Sequence, residues 1–217
     1  MFLKTEKILI PFLCLAMAGL GFWGHLTLPD GPIAVHFGVH GPDGFMPRDA
    51  GLTVLPGMAV AMMILLLWII PAIMPKSASL ERSGPAYGAV MLATFLLLAA
   101  IQAMLVLTAR GVAVDHIRVV TIGVGLLLIV MGNYLPKTRR NYVMGLRTPW
   151  TLSDERVWDK THRFAGPLFM LGGLGALAGA VFGTPQVHVG VLMIAALVPA
   201  VASFVYSYLA ARRLNLT

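Results

Sequence analysis

Charge is scarce in this 217-residue chain: Asp, Glu, Lys and Arg together make up 12%, where a soluble domain carries about 25%. There is one cysteine, Cys14, so no intramolecular disulfide and no Cys-based metal site can form. Its place inside an apolar stretch makes it a small packing residue. The marks of familiar enzymes are also missing: no Gly-x-Ser-x-Gly elbow, no His-Glu-x-x-His pair and no Walker loop. No internal repeat is evident. These absences exclude a disordered chain, a secreted disulfide scaffold and an ordinary cytosolic enzyme.

What the chain has is apolar surface. Hydrophobic residues make up 58% and the mean hydropathy is +0.84. About 20 consecutive apolar residues cross a bilayer core. Six stretches reach or approach that length: Ile8–Leu28, Leu52–Met74, Ala86–Ala109, Val119–Leu135, Phe164–Phe182 and Val187–Ala210. None carries an interior charge. Lys4 and Lys7 before the first stretch, and Ala16-Met17-Ala18 within it, have the look of a signal peptide. The apolar run continues through Leu20, Phe22 and Trp23, so an uncleaved helix is expected.

The balance of charge is basic, with 16 Lys+Arg against 9 Asp+Glu. In a membrane protein that reads as the positive-inside bias and contact with anionic lipid head groups. With the N-terminus in the cytoplasm, 13 of the 16 basic residues fall inside and 3 outside. Both termini are then inside. The cytoplasmic face is net +8 and the outer face net −1. The expected fold class is an all-α integral membrane protein: six transmembrane helices, a structured outer loop (29–51) and a basic inner loop (136–163). Residues 1–75 form a helix pair with the outer loop, and residues 76–217 a four-helix membrane domain.

Pro and Gly punctuate the outer loop too closely for a long helix. Ile33–Phe37 suits a short extended segment, and Gly41-Pro42-Asp43-Gly44 suits a turn. His36, His40 and Asp43 could converge on a metal. The plainer reading has His36 bonded to backbone and Asp43 capping the turn. His25, His36, His40, His116 and His188 all fall near the outer face, which could sense acid or simply suit an interface.

The inner loop is richer. Pro136 ends the fourth span. Thr151 and Ser153 are N-cap candidates for the next helix, and Asp154 and Glu155 suit its dipole. On that helix Trp158 and His162 are one turn apart, and Glu155 and Asp159 can pair with Lys160 and Arg163. Tyr134, Tyr142, Trp150 and Trp158 interleave with Arg139, Arg140, Arg147, Arg156 and Arg163. That pattern anchors a helix at head-group depth. It could instead bind an anionic group, with Arg147 as a bidentate donor. Direct nucleic-acid binding is not expected from so short a basic segment against a negative bilayer.

In the spans, Gly175, Gly179 and Gly183, with Gly172, Ala176 and Ala180, offer a smooth face for close helix approach. Gln102 is the clearest polar side chain at mid-span. A transporter reading would line a polar cavity with Gln102 and Asn133. A membrane-enzyme reading would pair His162 with Arg147 and Arg163 on a phosphate or lipid substrate. No nucleophile stands beside them, so no enzyme is expected, and no cofactor and no metal.

The inner stretch Gly132-Asn133-Tyr134-Leu135-Pro136-Lys137…Arg140-Asn141-Tyr142…Gly145-Leu146-Arg147-Thr148-Pro149-Trp150-Thr151-Leu152…Val157-Trp158…Lys160-Thr161-His162-Arg163 resembles the hallmark of the SdpI family of bacterial membrane proteins. Outer residues Pro32…His36-Phe37…Gly41…Asp43-Gly44 resemble a short domain of unknown function that commonly precedes the hallmark. The resemblance implies a multi-pass protein of the bacterial inner membrane with a role in immunity and signalling. It implies resistance to a secreted peptide toxin on the outer face, and a small cytosolic DNA-binding repressor held on the inner face. On that reading, His36, Phe37, Gly41, Asp43 and Gly44 receive the ligand. Asn133, Pro136, Lys137, Asn141, Gly145, Arg147, Thr148, Pro149, Trp150, Trp158, Lys160, His162 and Arg163 hold a partner or anionic group.

Overall fold

The structure is a computed structural model that describes residues 4–73 and 82–216. Lys76 and Glu81 of the charge count, Met74 at the end of the second stretch, and the division at 75/76 lie outside the described residues. In chain order the elements are α1 (Glu6–Thr27), β1 (Pro32–Gly38), β2 (Gly41–Pro47), α2 (Arg48–Ile64), a π-helical turn (Leu65–Ile69), α3 (Ile70–Ile73), α4 (Gly84–Ala109), α5 (His116–Tyr134), a 3-10 turn (Leu135–Lys137), α6 (Pro149–Ser153), α7 (Glu155–Phe182) and α8 (Pro185–Arg213).

Six of these helical segments are long and apolar enough to cross a membrane. Only 17–33% of their most apolar stretches is buried within the chain. Phe12, Leu15, Phe22 and Phe182 are between 64% and 87% exposed. Helices apolar all round that pack so few of their side chains inward are suited to lipid on the rest of their surface. The fifth crossing starts nine residues before the apolar run does, because α7 begins at Glu155, on the polar side of Arg163.

Pro71 has no N–H to return to its own preceding turn, and the ladder widens into the π turn just ahead of it. The Tyr87 hydroxyl donates to the Leu66 carbonyl there, at 2.8 Å. Tyr87, Ile10, Met17 and Phe95 belong to the core joining α1, α2 and α4. Gln102, fully buried, donates to the Leu52 carbonyl at 3.2 Å and ties α4 to α2.

The most extensive pairing is α5 on α7. It is a glycine seam. A Cβ on Gly132 would stand 2.5 Å from the Gly166 carbonyl oxygen, and one on Gly166 would stand 2.8 Å from the Gly132 oxygen. Gly125 and Gly173 repeat the arrangement at 3.1 and 2.5 Å. Steps of seven residues return almost to the same helix face, which is why 125/132 and 166/173 line up. The face expected from Gly175, Gly179 and Gly183 is different. Gly172 and Gly179, again seven apart, approach Ala195 and Val191 of α8, while a Cβ on Gly175 would meet nothing. Gly183 follows the helix end. Small residues let these backbones come close where lipid supplies no hydrophobic drive.

Replacing Gly132 or Gly173 with Leu should therefore cost at least about 1–3 kcal/mol of stability through overpacking. Gly175→Leu should leave stability near that of the wild type. Thermal unfolding of the three variants in detergent checks this.

Candidate functional site

At one end of the bundle, residues 135–154 fold into an ordered clasp over α7. Pro136 ends α5, as its sequence requires, and its ring lies against Gly166. Asn141 is buried and organises the next turn. Its Oδ1 accepts from the Val143 and Met144 N–H groups at 2.8 and 2.9 Å, and its Nδ2 donates to the Arg139 carbonyl at 2.7 Å. The Arg139 N–H donates to Ser83 Oγ at 2.9 Å, joining the clasp to the start of α4.

Trp158 and His162 form the clasp's buried pin. Their rings stack at 4.0 Å, as one-turn neighbours on α7. The Trp158 indole N–H donates to the Thr138 carbonyl at 3.1 Å. The Leu146 N–H donates to His162 Nε2 at 3.0 Å, so that nitrogen carries no proton, and Nδ1 donates to the Trp158 carbonyl at 2.8 Å. Gly145 sits over both rings with φ +108°, and a Cβ there would be 2.5 Å from His162 Nε2 and 2.9 Å from Trp158. Glycine is required on both counts.

Several expectations change here. Trp158 is fully buried, so it is no head-group anchor. His162 has both nitrogens engaged by backbone, which suits a structural clasp rather than proton transfer. The cap of α6 is Thr148, whose hydroxyl accepts from the Thr151 N–H at 3.1 Å while Thr151 Oγ1 accepts from the Thr148 N–H at 2.9 Å. Thr151 thus serves at the third helical position, and Pro149 takes the first, where no N–H is needed. Asp154, not Ser153, caps α7, accepting from the Arg156 N–H at 2.7 Å. Asp159 pairs with Arg139 at 3.6 Å rather than along its own helix. The Arg156 guanidinium beside Asp154 holds that carboxyl down at about 2, so the cap keeps its charge until the pH falls toward that value.

The exposed surface of the clasp is basic. Arg147 is exposed, and its guanidinium donates to the Tyr142 carbonyl at 2.8 Å. Lys160 and Arg163 are exposed on α7. Lys137 lies over the Tyr134 ring and donates to Asn133 Oδ1 at 3.2 Å. Trp150 packs edge-on against Phe204 and beside Tyr208 of α8. Sequence reasoning missed Ser83 and Thr138; neither sits in a recognisable local pattern.

The other end carries the hairpin. Ile33, Val35 and Phe37 alternate toward the helices, with Ile33 buried. The expected extended segment is thus present as β1. The turn is not Gly41–Gly44: it falls at Val39-His40, and residues 41–47 form β2. Gly41, at φ +115°, leads out of that turn. Asp43 consequently pairs across the hairpin with His36 Nδ1 instead of capping a turn. Gly44 lies opposite His36, where a Cβ would be 2.8 Å from the His36 Cβ. Phe37 stacks on His116 of α5 at 3.8 Å, and Thr108 bonds the other side of that imidazole at 2.8 Å. Arg48 locks the hairpin's base: it reaches Asp30 at 2.7 Å, Asp49 at 3.0 Å and the Leu28 carbonyl at 2.9 Å. His25 joins Asp49 at 2.8 Å. Among the described residues, no three His, Cys, Asp or Glu side chains converge as a metal site.

Asn141→Ala leaves two N–H groups of the clasp without acceptors, and Gly145→Ala forces a strained, clashing backbone. Each should cost about 1–3 kcal/mol. Lys160→Ala should be near neutral. Thermal unfolding with limited proteolysis of the clasp reads the difference.

Residues 137–207 match the family model described as the SdpI/YfhL protein family. The immunity protein SdpI of Bacillus subtilis (strain 168) is 33% identical to the chain over 120 residues, 55% of this chain and 58% of that relative. The chain therefore spans less than two thirds of the relative's length. No solved structure matches the chain. The family match opens at the end of the 3-10 turn and takes in the clasp, all of α7 and most of α8. Over residues 137–207, this multi-pass membrane protein is similar to the SdpI/YfhL family.

Proposed function

We propose that the protein confers immunity to a secreted peptide toxin in the bacterial cytoplasmic membrane. The observation that carries this reading is the 33% identity to a protein named for immunity. The positive-inside bias puts the clasp in the cytoplasm and the hairpin outside. The hairpin, with His36, Phe37, Gly41, Asp43 and Gly44, then receives the external peptide. The clasp face, with Arg147, Lys160 and Arg163 exposed, docks a cytosolic partner such as a DNA-binding repressor. Asn133, Pro136, Lys137, Asn141, Gly145, Thr148, Pro149, Trp150, Trp158 and His162 shape that face and hold it rigid. Coupling between the two ends requires that each ligand favour the same one of two states.

The transporter alternative has less support. Gln102 lies near the hairpin end of α4 in a helix-packing bond, and Asn133 is exposed at the clasp end of α5. The two are not brought together around one cavity.

Toxin-sensitive cells expressing the protein and challenged with a sporulation-delaying-type peptide should survive. His36→Ala should reduce survival while membrane expression is unchanged. Arg147→Ala should abolish co-purification of a cytosolic partner. Equal killing of expressing and empty cells would remove immunity to that toxin.

A further inference from the structure

Beneath the hairpin lies a cavity of about 330 Å³. Its roof is residues 35–39 of β1 and the turn. Its floor is Ile101 and Met104 of α4, Ile117 and Val120 of α5, and Val189 and Leu192 of α8. The wall is apolar except for His36 and His116. The His116 imidazole is stacked on Phe37, and its Nε2 is bonded to the Thr108 hydroxyl. The volume falls at the low end of small-ligand sites, which run from about 300 to 1,000 Å³. The rim is wet: the His36 and Asp43 side chains there are 75% and 54% exposed.

We propose that this cavity binds one large apolar side chain, aromatic or branched aliphatic, of an external peptide, with the Phe37–His116 stack as its lid. This deepens the immunity reading and rests on it for the peptide. Two features favour a side chain over a lipid tail. The space holds only about 330 Å³, and its roof is the strand that bears the exposed His36, paired across the hairpin with Asp43. The free backbone of a two-stranded hairpin lies next to the opening and can accept main-chain hydrogen bonds from the same peptide.

The test is photo-crosslinking of the full chain in phosphatidylcholine nanodiscs with the probe acetyl-Lys-benzoylphenylalanine-Lys-amide. Labelling should map to Met104, Ile101 or Val189. Acetyl-Lys-Phe-Lys-amide should compete and acetyl-Lys-Ser-Lys-amide should not. Val189→Trp fills the cavity and should cut labelling about ten-fold, since overlap replaces contact; Ile117→Phe is a second, milder filling. Val201→Trp, exposed elsewhere on α8, should label as the wild type does. Labelling that maps elsewhere, or survives both fillings in folded protein, overturns the proposal. So does a phosphatidylcholine molecule retained by the wild type in native mass spectrometry, lost on Val189→Trp and not displaced by the Phe peptide. Cell survival is scored separately on the same variants. Cavity labelling without protection removes the immunity reading and leaves the site. Protection without cavity labelling removes the site alone.

Discussion

The seam between α5 and α7 is the constraint on which the rest depends. Backbone meets backbone at Gly132–Gly166 and Gly125–Gly173, at spacings that admit no side chain. That approach sets Pro136 on Gly166 at one end and aligns the first turns of α7 beneath the chain leaving α5. The clasp can then close over Trp158 and His162, because the carbonyl of Thr138 and the N–H of Leu146 arrive where those rings can bond them. A wider seam would lift the pin away from its partners. Buried polar groups without partners are costly.

The two ends of the molecule are built differently. The clasp is fixed from within, by Asn141, Thr148, Thr151 and the Trp158–His162 stack, and turns its arginines outward. Its basic surface is therefore displayed on a rigid base, which is what recognition of an acidic partner or a head group needs. The hairpin is fixed at its base by Arg48, along β1 by Ile33 and Val35 packed with Leu52 and Val106, and near its tip by one aromatic stack on His116. Between those points it roofs a cavity.

Much of the architecture was legible in the sequence. Six spans follow from apolar length alone, and Pro136 and the Trp158–His162 step act as local rules demand, whereas the cap of α7 fell on Asp154 rather than Ser153. Within the two loops the reading was less complete. Gly41-Pro42-Asp43-Gly44 has turn chemistry, yet cross-strand pairing moved the turn three residues earlier and gave Asp43 to His36. Thr148 and Thr151 share one capping box, with Thr in place of the usual acidic or amide residue at the third position, so the pattern was easy to misplace by one turn.

By itself, the sequence determined that the chain crosses a membrane six times, where each crossing lies and which loops carry polar chemistry. Those properties depend on local composition and on period, which neighbours in space do not alter. Only the tertiary structure decided which glycines face a partner, that Trp158 is buried, that Asp159 turns to Arg139, and that Phe37 meets His116 above a cavity. Each of these joins residues on different elements. Their meeting is fixed by how closely the helices pack, and one chain's sequence does not print that distance.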